Sequence, residues 1–462
     1  MNRTIQSVAL FYEKSVWSTM KKLIFLGLLI AFSFSLYIME NQKYDSSNSE
    51  VDRLKSDTLS TVLFIKNADI EDVFLYLIFP SGEASNGSDE GLAHYVEHLA
   101  WLSAFGGGQN ERLRHSNAWT NHFSTGYWQK TVSDDLTPIL QALISTAGPL
   151  KIEEKFALEE RDIILREYDY RVAERPLYSV FRDMERALYG DGALARSVIG
   201  EPEVIADYSL EDAASLHKQN HTLSDATLLV YGDASAARLE AALASLLVED
   251  VHTLSANPRS IRLVEDGVEQ DRAAVSLVEL SEDTFLYRKL VPMDVCETSA
   301  GCAVLAQLAE NALGSSLPGG LAGPLRYDQF VTRSFSFNIS IIKENYVEVS
   351  FIGHPDTNIS LETLEDAFYA ALHSRLEDGL PQDTFDRVTS RLAGQLDRVL
   401  ERDRPSYNRN LVLAQLMSAK PAFTLEDQVN AVEDIRLEDV NEFLKSLLSD
   451  GREVTRLVSA ER

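Results

Sequence analysis

Two stretches of this chain read alike. Glu71-Asp72-Val73-Phe74-Leu75-Tyr76 recurs as Glu282-Asp283-Thr284-Phe285-Leu286-Tyr287, each inside an apolar run of strand character. Gly91-Leu92-Ala93 is matched by Gly301-Cys302-Ala303, Arg175-Pro176-Leu177-Tyr178 by Arg404-Pro405-Ser406-Tyr407, and Leu210-Glu211-Asp212 by Leu437-Glu438-Asp439. In chain order the offsets are 211, 210, 229 and 227, so they change in one step. Four matches in the same order imply one domain of mixed strands and helices used twice, at 58–255 and 256–462. The second copy is longer by about 18 residues between its first and third helices. Asn257-Pro258 and a charged stretch break the periodicity near the join, Ala256 to Gln270.

Within the first copy, Asp89 can cap a helix running to about Ala104, and Glu153 to about Glu174 reads as one long amphipathic helix. Asn117 to Thr131, rich in aromatic and Thr residues, reads as a strand pair or one long strand. The 462 residues, 45% hydrophobic and 25% charged, suit two or three domains with sizeable cores. Lys+Arg number 43 against Asp+Glu 71, a net charge of −28. So acidic a surface repels phosphate backbones and anionic membranes, which excludes general nucleic-acid binding and favours basic peptides or neutral ligands. With Cys296 and Cys302 alone, neither a disulfide framework nor a four-cysteine zinc module can form. A metal site must draw on His and carboxylates. The two cysteines flank a strand-to-helix turn and read either as a local disulfide or as two separate buried thiols.

At the N-terminus, Lys21 and Lys22 precede an uncharged run from Leu23 to Met39. With Met20 as the start, residues 1–40 read as a signal peptide with Ser33 and Ser35 at the cleavage region, or as an uncleaved signal anchor. Both place the rest outside the cytoplasm, with membrane contact only through this segment. No Cys follows the run for lipid attachment, and residues 41–57 read as a flexible tether.

His94-Tyr95-Val96-Glu97-His98 is the sharpest chemical feature. On a helix, positions i, i+3 and i+4 share a face, so two imidazoles can aim at one ion with a carboxylate beside them. That geometry suits one zinc ion, which activates water near neutral pH while the adjacent carboxylate takes the proton. HxxEH is the inverse of HExxH and marks the inverzincins. The third ligand must come from elsewhere. Glu160 and Glu167 lie seven apart on one helix face; Glu167 is the expected ligand and Glu160 the group that orients a ligating His or the helix, with Glu174 as rival ligand. At the repeat offsets, His94, Glu97, His98 and Glu167 fall on Val304, Gln307, Leu308 and Leu396, so only the first copy carries the chemistry.

The chain resembles the insulinase/pitrilysin family of zinc peptidases, especially the half-length branch of mitochondrial processing peptidase and its bacterial relatives. The likeness rests on Gly91 to His98, on Asn117-Ala118-Trp119-Thr120 with Thr125 and Tyr127, and on Glu160 to Glu167, and it extends from about Ser60 to the C-terminus. It implies an α+β fold of two homologous domains, each a mainly antiparallel sheet packed against helices. It implies zinc on His94, His98 and Glu167, with Glu97 as general base and Glu160 in support. Asn117 and Ala118 would pair with an extended peptide as an added edge strand. Two departures stand out. The interval from His98 to Glu167 is short for the family, which places a trim at residues 106–114. The family's second domain also offers an Arg followed seven positions later by a Tyr. Arg326 fits the first as a substrate contact, but the second position is Arg333 and the nearest aromatic is Phe335. A homodimer, or a heterodimer with a related subunit, would supply the missing Tyr.

His115, His122 and the remaining histidines fit no metal spacing and read as structural. Gly319-Gly320-Leu321-Ala322-Gly323 lacks the Lys and Ser/Thr of a phosphate loop and reads as a flexible loop that gates or contacts peptide. The function expected is an extracytoplasmic, periplasmic or secreted, zinc metalloendopeptidase acting on peptides or unfolded segments. The alternatives are a noncatalytic peptide-binding or scaffold subunit, and one subunit of an obligate heterodimeric peptidase.

Overall fold

The computed structural model describes residues 51–461 except 86–89, 106–114, 174, 248–261, 265–268, 278–279, 294–297 and 343–345. The N-terminal segment, most of the tether and of the join, the trim at 106–114, Asp89, Glu174 and Cys296 therefore lie outside the described residues. No helix among the described residues is long and apolar enough to cross a membrane.

Strands β1 (Val51–Leu54), β2 (Thr61–Lys66), β3 (Asp72–Phe79), β4 (Ser116–Thr120), β5 (Thr125–Val132) and β6 (Thr227–Gly232) form one sheet in the order β1-β2-β6-β3-β5-β4. Strands β7 (Gln270–Leu277), β8 (Thr284–Pro292), β9 (Thr332–Ile342), β10 (Tyr346–Pro355) and β11 (Arg452–Ala460) form the second, in the order β7-β11-β8-β10-β9. Apart from β1 the two orders are the same. So are the directions: β2 with β6 and β7 with β11 run parallel, and the other pairs are antiparallel. The duplicated sequence thus folds twice into one topology, in the α+β class expected.

The first copy carries α1 (Leu92–Phe105), α2 (Leu136–Ile144), α3 (Glu154–Tyr168), α4 (Tyr178–Tyr189), α5 (Leu210–Asn220) and α6 (Ala236–Ala244). The second carries α7 (Ser299–Leu313), α8 (Leu361–Asp378), α9 (Gln382–Arg402), α10 (Arg404–Met417), α11 (Leu425–Asp434) and α12 (Leu437–Ser446). The extra length of the second copy is visible. Strands β9 and β10 have 11 and 10 residues against 5 and 8 in β4 and β5, and α8 has 18 against 9 in α2.

Three local expectations need correction. Residues 51–54, expected to belong to the flexible tether, form strand β1, which pairs antiparallel with β2 from Val51 opposite Ile65 to Leu54 opposite Val62, so ladder hydrogen bonds order this part of the segment. The helix expected over 153–174 is α-helical only to Tyr168 and then widens into a π-helical turn, Asp169–Ala173. Pro176, which offers no N–H and disfavours helical geometry in the residue before it, ends the run. The stretch Gly319 to Gly323 is not a free loop. Leu321 and Ala322 are fully buried in the second copy, and a Cβ on Gly320 would stand 2.2 Å from the Ala312 carbonyl oxygen. Apolar burial at Leu321 and Ala322 outweighs the freedom of the flanking glycines.

A helix from each copy crosses to the other. Val180, Met184, Leu188 and Tyr189 of α4 pack with Leu286 and Leu290 of β8 and Val454 and Val458 of β11. Reciprocally, Val412, Leu413 and Leu416 of α10 pack against Leu63, Ile65, Tyr76, Ile78, Leu229 and Tyr231 of the first sheet. Helices α4 and α10 begin at the matched segments Arg175 to Tyr178 and Arg404 to Tyr407, so the exchange is itself duplicated. Each sheet has one face on its own helices and the other on a borrowed one, which is why β2, β6 and β11 are buried in near-continuous runs, whereas β7 and β10 alternate.

Candidate metal centre

Helix α1 is apolar on most of its circumference because it is covered on most of it. Leu92, Ala93, Tyr95, Val96 and Leu99 share a core cluster with Ala157 and Ile164 of α3 and Leu216 of α5. Its entry is tight: Gly91 has φ 83°, and a Cβ there would stand 2.5 Å from the Gly200 Cα. The Gly91 N–H donates to Glu83 Oε2 at 3.1 Å. Helix α3 is tied to α1 by the Tyr95 hydroxyl, which donates to the Ala157 carbonyl at 2.8 Å, and to the turn after residues 202–205 by Arg161 Nη1, which donates to the Ala206 carbonyl at 2.6 Å. These ties turn the Glu160 and Glu167 face of α3 towards the His94 and His98 face of α1.

His94, His98 and Glu167 are the one cluster of metal-ligating type found among the described residues, with ligand atoms all within 4.8 Å of one another. Glu167 Oε2 lies 3.8 Å from His94 Nε2 and 3.7 Å from His98 Nε2. Ligand atoms on a tetrahedral zinc stand roughly 3.3 Å apart, so the two Glu167 contacts must close by about half an ångström and the widest pair by about 1.5 Å to meet on one ion. His98 Nδ1 meets Glu160 Oε2 at 2.9 Å. A proton held on Nδ1 by that carboxylate leaves Nε2 with its lone pair for the metal. His94 has no such orienting partner: its Nδ1 is buried without one among the described residues, and packing alone sets its ring. The donor set fits zinc.

The charges are arranged to match. Burial, with lesser help from His98 and Arg171, holds His94 well below the ordinary imidazole range, so it stands neutral and ready to ligate. Burial also pulls His98 down, but the Glu160 hydrogen bond and the charges of Glu97, Glu160 and Glu167 outweigh it and the net direction is up. Metal binding there displaces a proton. Burial dominates at Glu97 and lifts its carboxyl to about 7, against the lowering influence of His98 and of a hydrogen bond with the Thr120 side chain.

Two expected results follow. Glu160→Gln removes the charge that holds the His98 Nδ1 proton and should weaken zinc affinity about 10- to 100-fold, read by competition with a chromogenic chelator. In metal-free protein, Glu97→Gln should stabilise the fold at pH 8. A carboxyl whose pKa is raised by folding favours the native state when protonated and penalises it when ionised. The penalty is fully present above about pH 7 and absent below the ordinary carboxylate value, 4.5. Its upper limit is about 3 kcal/mol. Urea unfolding of chelated wild type and variant should therefore differ at pH 8 and converge near pH 4; equal stabilities at pH 8 would refute the idea.

The remaining expected residues are placed as follows. Asn117 and Ala118 lie on β4, the outermost strand of the first sheet, which packs against α1. Asn117 is exposed and its Oδ1 accepts the Ala118 N–H at 2.9 Å. Arg326 sits partly exposed on a π-helical turn, Gly323–Asp328, with no hydrogen bond or ion pair to the His94 cluster among the described residues. Arg333 forms an ion pair with Glu282, and Phe335 stacks on Phe351 at 5.4 Å, so neither position offers a hydroxyl. In the second copy, Val304, Leu308 and Leu396 are core residues, and Gln307 Oε1 accepts from Gln428 Nε2 at 3.2 Å. Cys302 is disulfide-bonded.

Sequence reasoning missed two residues that act on the site. Thr120 bonds to Glu97, and its place two residues along β4 from Ala118 puts it on the same strand face. Arg171 Nη2 lies 2.6 Å from Glu167 Oε1, four residues on along the helix, a spacing that could have been read.

No family model matches the sequence. The chain is 29% identical over 154 residues to the mitochondrial-processing peptidase beta subunit of Neurospora crassa, a match covering 32% of each chain. The match thus spans about a third of the length of that relative. It is 23% identical over 340 residues to the zinc protease PqqE of Helicobacter pylori, covering 71% of this chain and 74% of that one. A crystal structure of a protease from Helicobacter pylori superposes with TM-score 0.72 at 17% identity, over 89% of this chain and 99% of the other, a likeness of fold.

Proposed function

From the premise that the chain is a half-length relative of the insulinase/pitrilysin zinc peptidases, we propose that it is an extracytoplasmic zinc metalloendopeptidase acting on peptides or unfolded segments. The observation that carries the reading is the convergence of His94 Nε2 and His98 Nε2 on Glu167 Oε2 beside a buried carboxyl, Glu97. His94, His98 and Glu167 would hold one zinc ion. When bound, zinc supplies Lewis-acid polarisation of a carbonyl and activation of water at neutral pH.

The rest belongs to the chain's own groups. Glu97, one turn of α1 between the two histidines, takes the proton of the attacking water at its carboxylate and delivers it to the leaving amine. Thr120 keeps the carboxyl in place, and Glu160 keeps the His98 ring in its ligating tautomer. The outer edge of β4 binds the peptide in extended form through backbone hydrogen bonds, and Asn117 releases the Ala118 N–H as the peptide arrives. Arg326 would contact the substrate.

The disulfide at Cys302 and the basic-then-apolar N-terminal segment support a location outside the reducing cytoplasm. Net charge −28 supports a preference for basic peptides. The Arg333 and Phe335 positions favour one further arrangement, in which a second copy or a related subunit completes the stabilisation of the carbonyl oxygen. The test is peptide hydrolysis and zinc content measured together on the lone chain, before and after chelation. Stoichiometric zinc with cleavage that chelator removes and zinc restores supports the reading. A zinc-free chain, or cleavage indifferent to chelator, overturns it.

A further inference from the structure

Helix α3 is hardly buried: only Ala157 and Ile164 of its fifteen residues are in the core. Three apolar side chains, Phe156, Ile163 and Tyr170, are left 48%, 38% and 69% exposed. They recur at seven-residue intervals, so they form one stripe running from α3 into the π-helical turn. The stripe adjoins the metal centre. Phe156 stands four residues before Glu160, Ile163 four before Glu167, and Tyr170 three after Glu167, so each member neighbours a carboxylate of the site on the helix surface. Leu158, also exposed, falls on the opposite side and does not extend it.

Three partly exposed apolar side chains aligned on the element that carries a candidate metal ligand are informative in a way that scattered exposed apolar residues are not. The adjacent Glu160 and Glu167 place them at the edge of the candidate metal centre. We infer that Phe156, Ile163 and Tyr170 form a rail that holds apolar side chains of the peptide while its backbone pairs with β4, and that this rail selects substrates with apolar residues near the scissile bond. The inference rests on the reading of the site as one that binds peptides, and it adds a side-chain preference that net charge alone does not imply.

The test is binding, read without cleavage. Two fluorescein-labelled peptides of equal length and charge, one with Phe and Leu at its centre and one with Ser and Gln there, are titrated by anisotropy. The protein is the zinc-loaded full chain carrying Glu97→Gln, with and without Phe156→Ser, Ile163→Ser and Tyr170→Ser together. The expected result is a loss of about tenfold or more in affinity for the apolar peptide and less than about twofold for the polar one. Tyr170→Ser alone, at the most exposed position, should give a smaller loss in the same direction. Equal effects on both peptides, or no peptide binding at all, overturns the inference. So does a shift from dimer to monomer in gel filtration with the peptide preference unchanged, which would make the stripe a subunit contact. Failure of the wild-type chain to cleave any peptide sinks the peptidase reading instead and leaves this contrast readable.

Discussion

Glu97→Gln should retain one zinc per chain and hydrolyse peptides about 10²- to 10⁴-fold more slowly than the wild type. The carboxamide matches the carboxyl in size and can still bond to Thr120, and position 97 is not one of the three candidate ligands. What it cannot do is accept a proton. Because the proton moves only as the reaction proceeds, the loss should fall on kcat, with KM nearly unchanged. Zinc by elemental analysis and initial rates on one peptide decide the matter. A variant with full zinc and a rate within about tenfold of wild type would remove Glu97 from the mechanism.

Arg288→Met should destabilise the protein by about 3–5 kcal/mol, the largest stability loss expected for a single change away from the metal centre. Arg288 on β8 donates to Glu348 Oε1 on β10 at 2.7 Å and to the Tyr189 hydroxyl on α4 at 3.0 Å. Tyr189 in turn donates to the other oxygen of Glu348, and the guanidinium lies 5.6 Å from the Tyr189 ring centre. This triad, joined by Glu185 with Oε1 3.8 Å from Arg288 Nη1, sits where the borrowed helix of the first copy meets the second sheet. The side chains of Arg288 and Glu348 are only 16% and 12% exposed, so removing the cation strands a carboxylate in a poorly solvated place. Changing both, Arg288→Met with Glu348→Leu, should recover part of the loss, since the stranded Glu348 carboxylate is gone while Glu185 loses one cation and the buried Tyr189 hydroxyl loses both of these partners. Urea unfolding of the two variants against wild type measures both. A single variant as stable as wild type would show the triad to be solvated and weak.

The metal centre was legible because its logic is local. His94, Glu97 and His98 lie within one turn and a half of a single helix, and Glu160 and Glu167 repeat on one face of another, so helical periodicity groups them without knowledge of the fold. Thr120 and Arg171 escaped notice for different reasons. Thr120 reaches Glu97 only because β4 is packed under α1, a long-range contact. Arg171 acts through the second oxygen of Glu167, which is free only once the first is turned to the histidines. The end of α3 at Tyr168 and the burial of Leu321 also lay beyond local pattern, since π-helical widening and core packing are settled by what lies across from them.

The sequence by itself determined that one domain is used twice, that the copies match strand for strand at Phe74 and Phe285, and that the second has lost every metal-binding position. Those facts are carried by residue identity and order. Tertiary structure alone decided that α4 and α10 change places between the copies and that α3 stands with its Phe156, Ile163 and Tyr170 stripe partly exposed beside Glu167. An apolar residue records only that some surface is to be covered. Which element covers it, or that none within the chain does, depends on how all the faces pack at once, because burial is driven by area removed from water and carries no address.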